Sequence, residues 1–240
     1  MKTILNFPSS IFLFLLCMLS SSAVVAGKPA PVRTTTEMAL PQFHSLVIQG
    51  DVKLYIQMQP ENSLRADYLS TAADDFSAEV KDGVLYITML KAVNRFDMPR
   101  IELSCSGFHD LRANGNFYIK MEDAMRAENF TVDVKGGGLL NLNLEVNRLR
   151  VNMEGQVVAS MKGHADDARI ELQQESYCAA LHLDVRRMFV SAQGMSKAEV
   201  VGREEVIAVA AQNGSIRCGG TAELKSYIQG MGSIEKLPSL

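Results

Sequence analysis

From Phe43 onward, apolar and polar residues alternate with a period of two. Val52, Leu54, Ile56 and Met58 are separated by Lys53, Tyr55 and Gln57. Phe76, Ala78 and Val80 alternate with Ser77 and Glu79, and Leu85, Ile87 and Met89 follow. Alternation sends successive side chains to opposite faces of an extended chain, so these runs predict β-strands. Asp82-Gly83, between the last two runs, predicts a tight hairpin. Residues 28–42 are rich in Pro and Thr and carry no apolar period. They read as part of an extended leader, 27–42, ahead of one folded domain, 43–240.

The alternation repeats. Lys135, Asn152, Gln173, Gln193, Gln212 and Gln229 each close a short apolar run. One residue earlier stand Val134, Val151, Leu172, Ala192, Ala211 and Ile228. Three residues earlier stand Val132, Leu149, Ile170, Val190, Val209 and Ser226, and only Ser226 is polar. A Gly follows within three residues in every unit except that of Gln173, where Ser176 takes its place. These positions recur every 17 to 21 residues. A period of about 19 residues with two or three short strands and a small corner residue fits one coil of a β-solenoid. A β-sandwich supplies strands but no reason for the same corner to recur. The motif appears earlier at Leu46, Ile48, Gln49 and Gly50, and at Ala78, Val80, Lys81 and Gly83, with wider spacing. Ile101, Leu103 and Cys105 begin another strand, leading to a looser unit around Leu111 and Gly115. The N-terminal part is therefore expected to be less regular and to cap the solenoid, because open sheet edges template association.

Composition sharpens this picture. Of the seven Pro, six lie at or before Pro99 and the other is Pro238. Fourteen of the 17 Gly fall between 100 and 237. Gly at that density disfavours helices, at about 1 kcal/mol each relative to Ala. A Pro-free stretch is what a solenoid needs, since every amide must donate to the neighbouring coil. The chain has a net charge of −3. That mild acidity argues against a nucleic-acid partner, which calls for concentrated basic charge.

The first 26 residues read as a removable secretion signal. Lys2 is its one charge, Ile11 to Leu19 is apolar, and Val24-Val25-Ala26 offers small residues for cleavage. Cleavage after Ala23 is the alternative. Leu16 before Cys17 is too bulky for a lipidation signal. The apolar run is too short to cross a bilayer, and no other stretch is a candidate transmembrane span. Cys105, Cys178 and Cys218 remain, an odd number without close spacing. They read as buried thiols, with a Cys178–Cys218 bridge as one open possibility. Met58, Met89, Met153 and Met161 sit in alternating strands and read as core filling.

Chemistry is sparse. His44, His109, His164 and His182 show no metal-ligand spacing, and His164 near Asp166 and Asp167 reads as a solvated corner. Ser191 and Ser196 occupy repeated structural positions outside any G-x-S-x-G elbow. Gly136-Gly137-Gly138 lacks the Lys-Ser/Thr of a phosphate loop and reads as a corner. One enzymatic arrangement stays open. Asp166, Asp167 and Glu171 fall on one coil, Asp184 on the next, and Glu204 and Glu205 on a third. Carboxylates about 5–10 Å apart along such a groove would suit polysaccharide cleavage. Against it, Trp is absent and Tyr numbers six, so aromatic sugar platforms are few.

Phe43–Gln49 (FHSLVIQ), then DVKLYIQ, DGVLYI and the closing IQGMGSI of 228–234, together with the small-residue corners, resemble the putative auto-transporter adhesin, head GIN domain family. The resemblance spans about residues 43–236. It departs at Gln173–Ser176, and Gly155 keeps a single glycine where relatives pair them. It implies a right-handed parallel β-helix and a surface role, and it brings no catalytic residues. The expectation is an all-β, right-handed parallel β-helix or β-solenoid with a less regular N-terminal cap. Its expected role is that of an exported periplasmic or surface protein that binds an envelope glycan or protein. No catalytic, cofactor-binding or metal-binding residue is assigned. A polysaccharide-active enzyme and a purely structural envelope component are the alternatives. N-terminal sequencing of the exported protein is expected to begin at Gly27; a lipidated Cys17 would overturn the signal reading.

Overall fold

The computed structural model describes residues 32–238. The expected signal at 1–26, its cleavage site and Cys17 lie outside the described residues. The described chain is almost wholly strand, wound into a β-solenoid of about six turns. Its strands are β1 (Arg33–Ala39), β2 (Ser45–Gln49), β3 (Val52–Met58), β4 (Ser63–Leu69), β5 (Phe76–Lys81), β6 (Val84–Met89) and β7 (Arg100–Cys105). They continue with β8 (Asp110–Met121), β9 (Met125–Gln174), β10 (Tyr177–Ala192), β11 (Lys197–Gln212), β12 (Ser215–Gly220), β13 (Glu223–Gly230) and β14 (Ser233–Lys236).

Two main strand columns run along the solenoid, each built from parallel pairs. The first stacks β6, β2, the start of β8, β9, the end of β10, the end of β11, and β13. The second stacks β7, β3, the end of β8, β9, the starts of β10 and β11, then β12 and β14. Strand β9 runs 50 residues because its corners bend without breaking the ladder. Gly136, Gly155 and Gly163 make those bends at φ of 110°, 108° and 110°.

The first corner shows why Gly is required. Gly50, Gly115, Gly136 and Gly155 stack coil upon coil. A Cβ on Gly115, Gly136 or Gly155 would meet the preceding glycine's carbonyl oxygen at 2.6, 2.4 and 2.2 Å. Farther along, the corner tightens into a turn, and Gln174 takes the positive φ of 64°. Ser176 is buried there and donates to the carbonyl oxygens of Gly155 and Gln173 at 3.2 and 3.0 Å. Ser196 repeats this one coil later, donating to Gln193 at 2.6 Å. These serines fasten corners.

Side chains on the inner faces form the core. In the first column Leu172, Ala192 and Ala210 pair in turn, and so do Ile170, Val190 and Ala208; all are fully buried. Here the structure corrects the sequence reading. With Gln212 as the unit's closing residue, Ala211 and Val209 were expected inside. Ala210 and Ala208 are inside instead, and Val209 and Ala211 are half-buried on the outer face. A one-residue slip moves a whole strand face from core to surface. Alanine's weak apolar signal, followed by a turn at Gln212, had hidden it.

The N-terminal end departs from sequence order. Strand β2 lies between β6 and β8, and β5 pairs antiparallel with β6. The Ala78/Val80 unit, expected as a coil, is this antiparallel edge strand, and β6 occupies the coil position. On the second column β7 is covered by antiparallel β4, which is covered by antiparallel β1. Residues 33–39, expected within an extended leader, are thus paired along their full length. Thr34, Thr36 and Met38 form the half-buried face, and the Thr36 hydroxyl lies 2.8 Å from the Tyr68 hydroxyl. Threonine carries the strand period without registering as apolar. At the opposite end, among the described residues, no further strand pairs with β13, and Ile228, in register with buried Ala210, is 53% exposed.

Cys105, Cys178 and Cys218 are free and buried. Cys178 pairs with Ala198, which pairs with Ile216, and Cys218 lies two residues beyond Ile216, opposite Val200. The Cα atoms of Cys178 and Cys218 are therefore separated by two strand spacings, about 9.6 Å across the sheet, and by a two-residue offset along it, beyond the ~6.8 Å Cα reach of a disulfide. The possible Cys178–Cys218 bridge does not form. Burial pushes the Cys178 thiol up to about 12, and Cys105 and Cys218 to about 11.

Gly136→Ala is expected to lower stability in urea titration by roughly 1–3 kcal/mol or more, from positive-φ strain and the carbonyl clash. Gly137→Ala should cost much less, because its Cβ would meet only the Asn116 side-chain oxygen at 3.1 Å. Equal losses would contradict the stacked corner.

Candidate functional site

Three surface features carry the polar and apolar groups that the core leaves over. The first is the set of carboxylates that a cleavage groove would require. Each meets a basic side chain. Asp167 receives two bonds from the Arg187 guanidinium, at 2.7 and 2.9 Å. Arg186 lies 3.5 Å from Asp166 and 3.7 Å from Glu204. Arg203 pairs with Asp184, Lys225 with Glu205, and Arg169 with Glu171 at 2.6 Å. His164 lies 3.7 Å from both Asp166 and Asp184. Most of these pairs join neighbouring coils, because residues about 20 apart are stacked by the strand register. The bond from Arg187 holds the Asp167 carboxyl below its ordinary range. The acids form an inter-coil charge ladder, with basic groups between them.

The second feature is the outer face of the first column. Its outward residues form rows across the coils. Phe189 pairs with Ile207, Ser191 with Val209 and then Tyr227, and Ala211 with Gln229. Phe189, Ile207, Val209 and Ala211 are half-buried, and Tyr227 is 57% exposed. Arg169 extends over the Phe189 ring at 4.3 Å. At the open end Ile228, on the inner face of β13, and Met231 are exposed as well, the latter at 78%. Nearer the N-terminus the same face is polar, with Arg112, Asn114, Asp133, Lys135 and Glu154 around shallow depressions. Contiguous apolar surface of this kind marks an interaction site more often than a solvated one. Sequence reading missed it because Val209 and Ala211 were counted as core.

The third feature lies where the chain enters the first column. A groove of about 490 Å³ is lined by Phe43, His44, Phe108, His109, Arg126 and Asn129, among others. Inside it, Phe43 stacks on Phe108 at 6.2 Å and Phe108 meets Phe130 at 5.7 Å. On its rim, the His44 and His109 rings lie parallel within 5° at 5.1 Å. His109 Nδ1 is 2.8 Å from Asp110 Oδ2. Ser45 donates to that same oxygen at 3.2 Å, and His44 Nδ1 is 3.0 Å from the Ser45 hydroxyl. The Ser45 proton is committed to Asp110, so its oxygen accepts from His44. Both imidazoles therefore carry their proton on Nδ1 and leave Nε2 open. Sixty-five residues separate the two histidines, so no local spacing joined them. The repeated tetrapeptide Phe43-His44-Ser45-Leu46 and Phe108-His109-Asp110-Leu111 is the signal that pairs them. Among the described residues, no group of three or more His, Cys, Asp or Glu is arranged to hold a metal ion.

The sequence profile of the putative auto-transporter adhesin, head GIN domain family matches residues 42–222. Solved structures share the fold at low identity. A putative adhesin from Bacteroides fragilis NCTC 9343 superimposes with a TM-score of 0.77 at 18% identity, covering 87% of this chain and 99% of that one. A putative adhesin from Parabacteroides distasonis ATCC 8503 gives 0.68 at 17%, over 86% and 98% of the two chains. A protein from the same organism, described as a putative lipid binding protein, gives 0.67 at 15%, over 86% and 97%. No curated protein matches the chain in sequence.

Replacing Arg187 with Gln tests the ladder. Asp167 has a depressed folded value, so its contribution is present above the ordinary carboxylate range and fades as pH falls through that depressed value. Both partners are well exposed and screened by solvent, so the loss at pH 7 should be small. The urea midpoints of variant and parent should converge in acid, once Asp167 is protonated in the parent. A large loss that persists in acid would contradict a surface ladder.

Proposed function

The chain belongs to the putative auto-transporter adhesin, head GIN domain family, and from that premise we propose that it is a non-enzymatic binding protein of the cell envelope or surface. In this reading residues 1–26 direct export and the solenoid is the working part. Its partner is an envelope glycan or protein. The observation that carries the reading is the apolar patch of Phe189, Ile207, Val209, Ala211 and Tyr227 on a flat outer strand face. Such a face is rigid before binding, because each of its strands except the terminal β13 is paired on both sides, so little conformational entropy is lost on contact. The ion pairs on the acidic coils support the same reading. A general acid needs a carboxyl whose value is raised, and Asp167 is held down instead.

Two charge insertions one residue apart test both register and role. Val209→Glu is expected to keep the parent's melting temperature within a few degrees and to lose at least tenfold in affinity for whatever envelope glycan or protein a binding screen returns. Ala210→Glu is expected not to fold, because it buries an unpaired charge. A Val209→Glu protein that binds as well as the parent would remove the strand face from the function. Release of reducing ends from a polysaccharide panel would replace the reading with an enzymatic one.

A further inference from the structure

We propose that the groove beside His44 and His109 is an acid-strengthened binding site for an oxyanion group, a sulfate, phosphate or carboxylate. The site is separate from the strand face discussed above, so either can fail alone.

The charges around the groove leave cations open. Asp110 is occupied by His109 and Ser45. Glu128 is taken by Arg148 from the next coil, at 3.1 Å. Arg126 lines the groove, is exposed and forms no ion pair among the described residues. Asn129 adds an amide donor on the same wall. The hairpin under His44 brings Gly83 against its ring and carries Lys81 and Asp82 beside it. The excess available to a ligand is the Arg126 guanidinium, which stays charged at all working pH values.

Proton placement decides how the imidazoles behave. Both Nδ1 protons are held inward, so both Nε2 atoms present lone pairs when neutral. A lone pair repels an oxyanion. Protonation at Nε2 turns each into a charged donor, and charge-assisted bonds to oxyanions are the stronger kind. Two imidazolium rings 5.1 Å apart repel one another, and an anion held between their donors relieves that repulsion. Anion binding and proton uptake therefore favour each other, and the coupling is reciprocal. Affinity should rise in mild acid, where imidazole takes up its second proton.

The strand register supplies the geometry. Ser45 pairs directly with Asp110, which places the preceding histidines one above the other. Gly83 permits this, since a Cβ there would lie 2.5 Å from His44 Nε2. The Phe43, Phe108 and Phe130 stack anchors both backbones from beneath.

The experiment is an NMR titration of the full chain with sodium sulfate at pH 5.5 and 7.5, following the His44 and His109 ring resonances. Sulfate is expected to shift both rings and to bind at least tenfold more tightly at pH 5.5. Arg126→Gln should weaken binding at both pH values. His109→Asn should leave the weaker binding of pH 7.5 and remove most of the gain at pH 5.5. Thermal melts of each variant confirm folding, and His44→Asn gives a second reading if His109→Asn does not fold. A parallel titration with a sulfated oligosaccharide separates the two sources of the group. Tighter binding than free sulfate assigns a glycan; equal binding assigns a small free anion. Binding without pH dependence, or shifts that leave both imidazoles untouched, would overturn the site. Loss of partner binding in Val209→Glu with sulfate binding intact would show that the two surfaces act independently.

Discussion

Everything in this molecule depends on one repeated contact, the backbone hydrogen bond from each coil to the next. Strands so joined lie about 4.8 Å apart, and that spacing is imposed on whatever the register brings together. At the first corner it brings backbone within reach of backbone. Gly115, Gly136 and Gly155 are glycines because any side chain would strike the carbonyl beneath. Where the corner becomes a turn, Ser176 and Ser196 restore the lost contacts with their hydroxyls. Proline is missing between 100 and 237 for the same reason, since it has no amide to give.

The same spacing organises the outside. Side chains about 20 residues apart become neighbours, so a charge on one coil meets its opposite on the next. Asp167 with Arg187 and Glu205 with Lys225 are built that way. His44 over His109 is the aromatic case, with a single carboxylate fixing both tautomers. The apolar rows Phe189–Ile207 and Val209–Tyr227 follow the same rule without charges. A flat face made of such rows can change character along its length while its backbone stays unchanged.

The ends of the solenoid are treated differently. At the N-terminus, β1, β4 and β5 run antiparallel and cover the first coils. Short strands that carry threonine and charge make a poor template for association. At the C-terminus, β13 exposes Ile228 at a position that is core in every earlier coil. The family match stops at residue 222, just before this last turn.

The sequence by itself determined the class of fold, the repeat and the corners, because period-two alternation and recurrent Gly are local consequences of strand and bend geometry. It located the core of most coils through Leu, Ile and Val. It failed where the local signal was weak: at Ala208 and Ala210 the slip by one residue is invisible to hydrophobicity, and in β1 threonine carries the period. Only the tertiary structure decided which residues meet. The strand order β6–β2–β8, the two-coil gap between Cys178 and Cys218, the ion pairs of the acidic coils and the His44–His109 stack all follow from register across tens of residues. Register is set by the mutual fit of whole coils, and no window of the sequence contains two of them in contact.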